Sequence, residues 1–148
     1  MLDVILLAAM PISELRGAIP LALYKGYSPI EAFVFSVVGN LLPVPFLLLF
    51  LHRIRSLALR WGITSRTFLW FEERTLGKRD IIDRYGYLGL VLFVAIPLPV
   101  TGAWTAALLA TLLDLKIGKS FAFIAAGVVI AGLFVTFAAT GINIFVKY

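Results

Sequence analysis

The sequence predicts an all-α integral membrane protein, an inverted repeat in which each half is a re-entrant helical hairpin followed by one transmembrane helix. Three observations carry this. Hydrophobic residues make up 61% of the chain and charged ones only 14%. Two uninterrupted apolar runs are long enough to cross a bilayer, and each is preceded by an apolar run broken in its middle by polar residues, Pro or Gly. Against roughly 25% charge in an average soluble domain, there are too few polar groups here to coat a water-facing surface. The 148 residues form a single membrane domain, with no length left for a separate soluble catalytic module.

The first repeat covers residues 1–51. Met1 to Ile12 is apolar but carries Asp3, no Lys or Arg and no small-residue cleavage pattern, so it is not expected to be a signal peptide. Residues 1–25 read as a hairpin. Pro11, Ser13, Glu14, Arg16, Gly17 and Pro20 interrupt the run and leave arms of about ten residues, roughly 15 Å each, half of a hydrocarbon core of about 30 Å. Residues 29–51 then supply a full span. In the second repeat, residues 85–113 repeat the arithmetic, with Pro97, Pro99, Thr101 and Gly102 as the interruption, and residues 120–146 form the second span. The alternative is that each broken run is an ordinary kinked spanning helix. Both readings place the irregular backbone inside the bundle, because lipid cannot satisfy it.

Between the repeats, residues 52–84 carry eight Lys/Arg against four Asp/Glu. The positive-inside rule puts this linker in the cytoplasm and the chain in the cytoplasmic (inner) membrane as a multi-pass protein. Trp61, Phe68, Leu69, Trp70 and Phe71 interleave with those charges, as expected for one or two helices lying at headgroup level. Lys116 and Lys119 mark the same side. The two halves then have opposite orientations, the arrangement of many secondary transporters, with a site where broken helices meet at mid-membrane. Self-comparison agrees: Gly17-Ala18 matches Gly102-Ala103, and Phe35 to Gly39 lies over Phe123 to Gly127, with a short loop insertion to absorb the difference in offset.

The candidate site residues are Glu14, Arg16, Gly17, Asn40, Pro99, Thr101, Gly102 and Trp104. A charge deep in the bilayer costs at least about 2.5 to 3.5 kcal/mol, so Glu14 and Arg16 need a reason to be there. Either they form a structural ion pair closing the hairpin, or they bind a substrate or proton, with the charge on Glu14 tied to whether the pair is made. Thr101 is placed to cap the half-helix beside it, whose free amides attract anions, while Trp104 offers an apolar wall. Asn40 sits mid-span before Pro43 and Pro45, which cannot donate to the carbonyls of Gly39 and Leu41, and this makes a polar notch. Glu31 falls at a helix start and suits the dipole. Gly127, Ala131 and Gly132 give the second span a small-residue face for close contact, within the bundle or across a homodimer.

Three ordered motifs then resemble a known family: Pro11-Ile12-Ser13-Glu14-Leu15-Arg16-Gly17-Ala18-Ile19-Pro20-Leu21; Gly39-Asn40 with Pro43-Val44-Pro45-Phe46; and Phe93-Val94-Ala95-Ile96-Pro97-Leu98-Pro99 with Thr101-Gly102-Ala103-Trp104. They resemble the small multidrug export proteins over nearly the whole chain, with Val100 where Gly is expected. That family is in turn similar to the DedA (SNARE-associated, VTT) membrane proteins. This resemblance implies opposed re-entrant hairpins, proton dependence and movement of lipids such as undecaprenyl phosphate. Of the functional residues, it carries over the position of Glu14 and, less directly, Arg16. The second tip lacks the basic residues of those relatives.

These readings lead to a small secondary transporter that moves an amphipathic or lipid-like substrate, coupled to protons. Its expected partners are membrane lipids, an amphipathic small molecule or a lipid phosphate, protons and a second copy of the chain. A polyprenyl-phosphate or phospholipid flippase is the alternative within transport; a non-transporting scaffold or assembly factor is the alternative outside it. No Cys is present and His52 is the single histidine, so thiolate chemistry and Cys/His metal sites are not expected. No nucleophile and base set is visible, so no enzyme and no cofactor are expected. The net charge of +5 is read as facing anionic lipid rather than nucleic acid.

Overall fold

Within its first 27 residues the chain turns back on itself. The computed structural model, which describes residues 1–61, 73, 79–96 and 102–146, starts with two short helices, α1 (Leu2–Ala9) and α2 (Glu14–Tyr24). Lys25 pairs with Asp3, and the Tyr27 hydroxyl lies 2.6 Å from the Met1 amino group. A continuous kinked helix would hold those ends about 30 Å apart, so these contacts require an antiparallel pair. At the opposite end the turn is pinned by the Ser13 hydroxyl, which donates to the Leu7 carbonyl at 2.5 Å.

Ser28 and Glu31 then form a full capping box that opens α3 (Pro29–Leu41), which accounts for Glu31 as a local structural residue. After a single-residue break at Leu42 comes α4 (Pro43–Trp61). Together they contain the apolar run Pro29–Leu51, long enough to cross a membrane. The helix continues about ten residues past the expected span end at Leu51, because no Pro or Gly interrupts Phe46 to Trp61. The first part of the linker is thus the same helix rather than a separate one. The aromatic stretch 68–71 lies outside the described residues.

The last residues of the linker form α5 (Arg79–Tyr85), followed by α6 (Tyr87–Ala95), α7 (Ala103–Leu112) and α8 (Ile117–Val146), the last holding the second apolar span, Ile117–Gly141. The base of the α6/α7 pair is closed by the Tyr87 hydroxyl, which accepts from the Lys116 backbone N–H at 3.1 Å. Among the described residues there is no strand.

Corresponding features recur 88 residues apart. After α2, the N–H groups of Gly26 and Tyr27 donate to Leu23 and Ala22; after α7, those of Asp114 and Leu115 donate to Thr111 and Ala110. Both are Schellman-type ends, with Gly26 at φ 87° and Asp114 at φ 56° in the left-handed position. Phe35 and Phe123 keep the spacing but the rings they meet do not: Tyr27 lies edge-on to Phe35 at 6.0 Å between ring centroids, and Tyr87, from a different place in its half, lies 5.5 Å from Phe123. Two glycines act as seats: a Cβ on Gly39 would lie 2.5 Å from the Ile5 carbonyl oxygen, and one on Gly127 would lie 3.0 Å from that of Val91. Each long helix therefore grips the first arm of the hairpin before it, backbone against side-chain-free backbone. The helix ends and glycines keep an offset of 88, at which Glu14 and Gly102 correspond, while the residues seated on those glycines, Ile5 and Val91, are 86 apart.

The second arms are the connectors. α2 packs on α3 and α8, α7 packs on α8 and α4, and α3 touches α8. Alanines 18 and 22 on α2, and 103, 106, 107 and 110 on α7, are buried and small enough to allow this approach. The outward face is apolar: Ile30, Val34, Val38, Leu42, Phe46 and Phe50 are exposed in a stripe along the first span, and Ile130, Phe134 and Phe137 along the second. A surface of this kind is at home in lipid, not water.

Candidate functional site

The turn of each hairpin delivers its second arm to the same place. α2 begins at Glu14, whose φ of 44° is uncommon for a residue with a side chain and aims the carboxylate away from its own turn. That carboxylate is buried, 8% exposed. It lies directly on Gly102, where a Cβ would fall inside the Glu14 carboxylate, and it accepts a hydrogen bond from the backbone N–H of Trp104.

The reason lies in the helix start. Gly102 is the N-cap of α7 and has no side chain with which to cap, and Ser13 before α2 is committed to the Leu7 carbonyl. Orphan amides at a helix start seek an acceptor, and the dipole there favours a negative one. Glu14 supplies both, as a capping residue reaching in from the other hairpin while sitting in the first turn of its own helix. The acceptor at the Trp104 amide is Glu14, and the expectation that Thr101 caps this helix start falls on a residue the structure does not describe. Pro99 lies outside the described residues as well.

Around this contact the remaining candidates sort themselves. Arg16 lines the same interior space and attracts the Glu14 charge. Asn40 is 1% exposed, borders that space, and its side-chain oxygen has no hydrogen-bond partner. Trp104 ties the junction from the other direction, its ring N–H donating to the Ala9 carbonyl at 3.1 Å, a hydrogen-bonding role beside its place as an apolar wall. Gly17 stands one turn into α2, where a Cβ would meet the Ser13 Cβ at 2.9 Å, so its role is to let the turn close. The cavity bounded by Glu14, Leu15, Arg16, Asn40, Val94, Ala131 and Val135 is about 10 Å³, room for about one water. Among the described residues no group of three His, Cys, Asp or Glu side chains forms.

Sequence reasoning did not single out Ser36. It lies one helical turn before Asn40, is fully buried, and its hydroxyl also lacks a partner. The signal was available, as two polar residues four apart in an otherwise apolar span share a face. The small-residue face of the second span is used inside the chain: Gly127 seats α6, and Gly132 seats the Phe33 ring of α3 at 2.8 Å.

No curated protein and no solved structure matches the chain. The profile of the family described as "Putative small multi-drug export protein" matches residues 14–134, from the Glu14 that joins the two turns to the exposed Phe134 of the second span. With the match running through both hairpins and most of both spans, the chain belongs to the small multi-drug export protein family.

Proposed function

We propose that the protein is a small secondary transporter of the cytoplasmic membrane that moves an amphipathic or lipid-like substrate, with Glu14 as the proton-coupled group. The observation that carries this reading is the position of Glu14: a buried carboxylate shared between the starts of two half-helices that belong to different hairpins. A proton on Glu14 removes its charge from the α7 amides and weakens the tie between the halves. Proton binding and tip separation are thereby linked.

The architecture behind it is an inverted repeat of re-entrant hairpins. The matched helix ends and glycine seats support the repeat. Opposite orientation is supported by α8 reaching Phe33, near the start of α3, only at Gly132, about 22 Å along its own length. Second arms of roughly 15 Å then put both tips near mid-bilayer. The Lys/Arg excess of residues 52–84 supports a cytoplasmic linker and a multi-pass topology. A homodimer would use the exposed aliphatic stretch Ile30, Val34 and Val38 of the first span, since the glycine face is taken and the aromatic part lines the grooves.

The test is flux in proteoliposomes under an imposed pH gradient. Glu14→Gln is expected to abolish the response to the gradient. Arg16→Ala then separates substrates: lost transport indicates an anionic headgroup, retained or faster transport a cationic one. For a lipid phosphate, as in the flippase alternative, the α7 amides become available only once Glu14 leaves them. The capping role of Glu14 favours a second reading, a non-transporting scaffold in which the carboxylate only joins the hairpins. No flux for any tested drug or prenyl phosphate, together with a normal cellular phenotype for Glu14→Gln, would establish the scaffold.

A further inference from the structure

Two apolar grooves flank the tip junction. The first, about 1060 Å³, lies between α2, α6 and α8, with Pro20, Tyr24, Ile96 and Phe134 along it and Val135 at its inner wall. The second, about 540 Å³, follows α4 from Pro43 past Phe46 and Phe50 to Arg53 and reaches Trp104. Both approach the size of ligand sites of roughly 300 to 1,000 Å³. They are linked through the polar cavity: Val135 lines the first groove and the cavity, while Trp104 lines the second and holds the Glu14 carboxylate that lines the cavity.

Resting on the transport reading above, we infer that these grooves are successive sites for the hydrocarbon chain of the transported amphiphile, and that the Glu14 to Trp104 hydrogen bond is the closed gate between them. The lining selects the occupant. The first groove is walled by carbon apart from the Tyr24 phenol, and the second has a single charge, Arg53, at its outer end. The span from Pro43 to Arg53 rises about 15 Å, the depth of one leaflet's hydrocarbon. The first groove runs toward Tyr24 at the base of the first hairpin, the second toward Arg53 at the far end of the first span, so they serve opposite leaflets. A polar headgroup needs far more than the one-water cavity at the junction. The chain can therefore pass between grooves only when the tips part, which sets Glu14 and Asn40 beside the headgroup.

The probes are hexadecyl phosphate and hexadecyltrimethylammonium, each with a terminal diazirine, in phosphatidylcholine vesicles holding the full chain. Expected are photo-crosslinks in both grooves that saturate at low probe fraction and fall about tenfold with excess unlabelled probe. Ala138→Trp, which fills the first groove, should reduce both its labelling and flux; the wild-type saturation curve stands even if that variant does not fold. Labelling that rises linearly with probe fraction and resists competition means bulk lipid only and overturns the chain sites, whatever the flux. The chain has no native cysteine, so Ala138→Cys reports cleanly on a second copy: an efficient disulfide between copies across the groove overturns the proposal as well. Saturable labelling without flux instead overturns the transport reading, and the gate with it.

Discussion

The two hairpins share a backbone plan but divide the chemistry between them. The first brings charge to its tip, Glu14 and Arg16, and its second arm begins on a strained residue. The described part of the second tip has no charge and begins α7 on a bare glycine that offers its amides no cap of its own. Each lacks what the other has, since a carboxylate without donors is costly in lipid and a helix start without an acceptor is equally so. The long helices show the same division. Positions 36 and 40 of the first are Ser and Asn, both buried, and their partners 88 residues on are Ile124 and Val128, both fully buried. At matching positions the first span buries polar groups where the second buries hydrocarbon.

The largest expected effect comes from removing the complement. Gly102→Leu has no space beside Glu14 and should cost about 1 to 3 kcal/mol or more of stability in detergent melting, along with transport. Glu14→Ala leaves the Trp104 amide buried and unpaired, a loss of about 1 to 3 kcal/mol. Adding Gly102→Ser to Glu14→Ala gives α7 a local cap in the vacated space and should recover much of the melting temperature without restoring pH-driven flux. Recovery of both would reduce Glu14 to a cap. The glycine seats come next. Gly39→Ala and Gly127→Ala should destabilise by similar amounts, about 1 to 3 kcal/mol, and very unequal losses would break the equivalence of the halves.

Smaller effects sharpen the polar difference. Asn40→Leu removes an unpartnered buried oxygen and should leave stability nearly unchanged while reducing transport, whereas Val128→Asn buries a new amide and should lower the melting point. The smallest change is expected at the helix ends. Asp114→Gly, at a left-handed φ, should stabilise by up to about 1 kcal/mol, and Gly26→Asp should cost a similar amount.

Much of this was legible in the sequence. The break ahead of Glu14, the two spans and the helix start at Ser28 follow from local rules that residues obey without distant neighbours, but Arg16, Gly17 and Pro20, expected within the interruption, lie inside α2, and the expected breakers Pro97 to Thr101 lie outside the described residues. The register of the tips was not, because Ala- and Leu-rich arms look alike when slipped by three residues, and only the helix-end hydrogen bonds fix the offset. Nor was the meeting of Glu14 with Gly102, which depends on how four helices pack rather than on spacing. A hint existed in Gly102-Ala103-Trp104, a helix start whose N-cap has no oxygen to offer. The continuation of α4 to Trp61 was equally visible as a lack of breakers, but hydropathy ended the span where lipid ends, not where the helix does.

The seats at Gly39 and Gly127 have a mechanical corollary. With no side chain to act as a spacer, each long helix holds its first arm as one stiff body, and sliding between them would drive backbone into backbone. The two blocks then meet where α2 crosses α8 and α7 crosses α4, and where Gly132 of α8 seats Phe33 of α3. An opening that parts the tips would have to work at those contacts, with each first arm carried along by the helix that grips it.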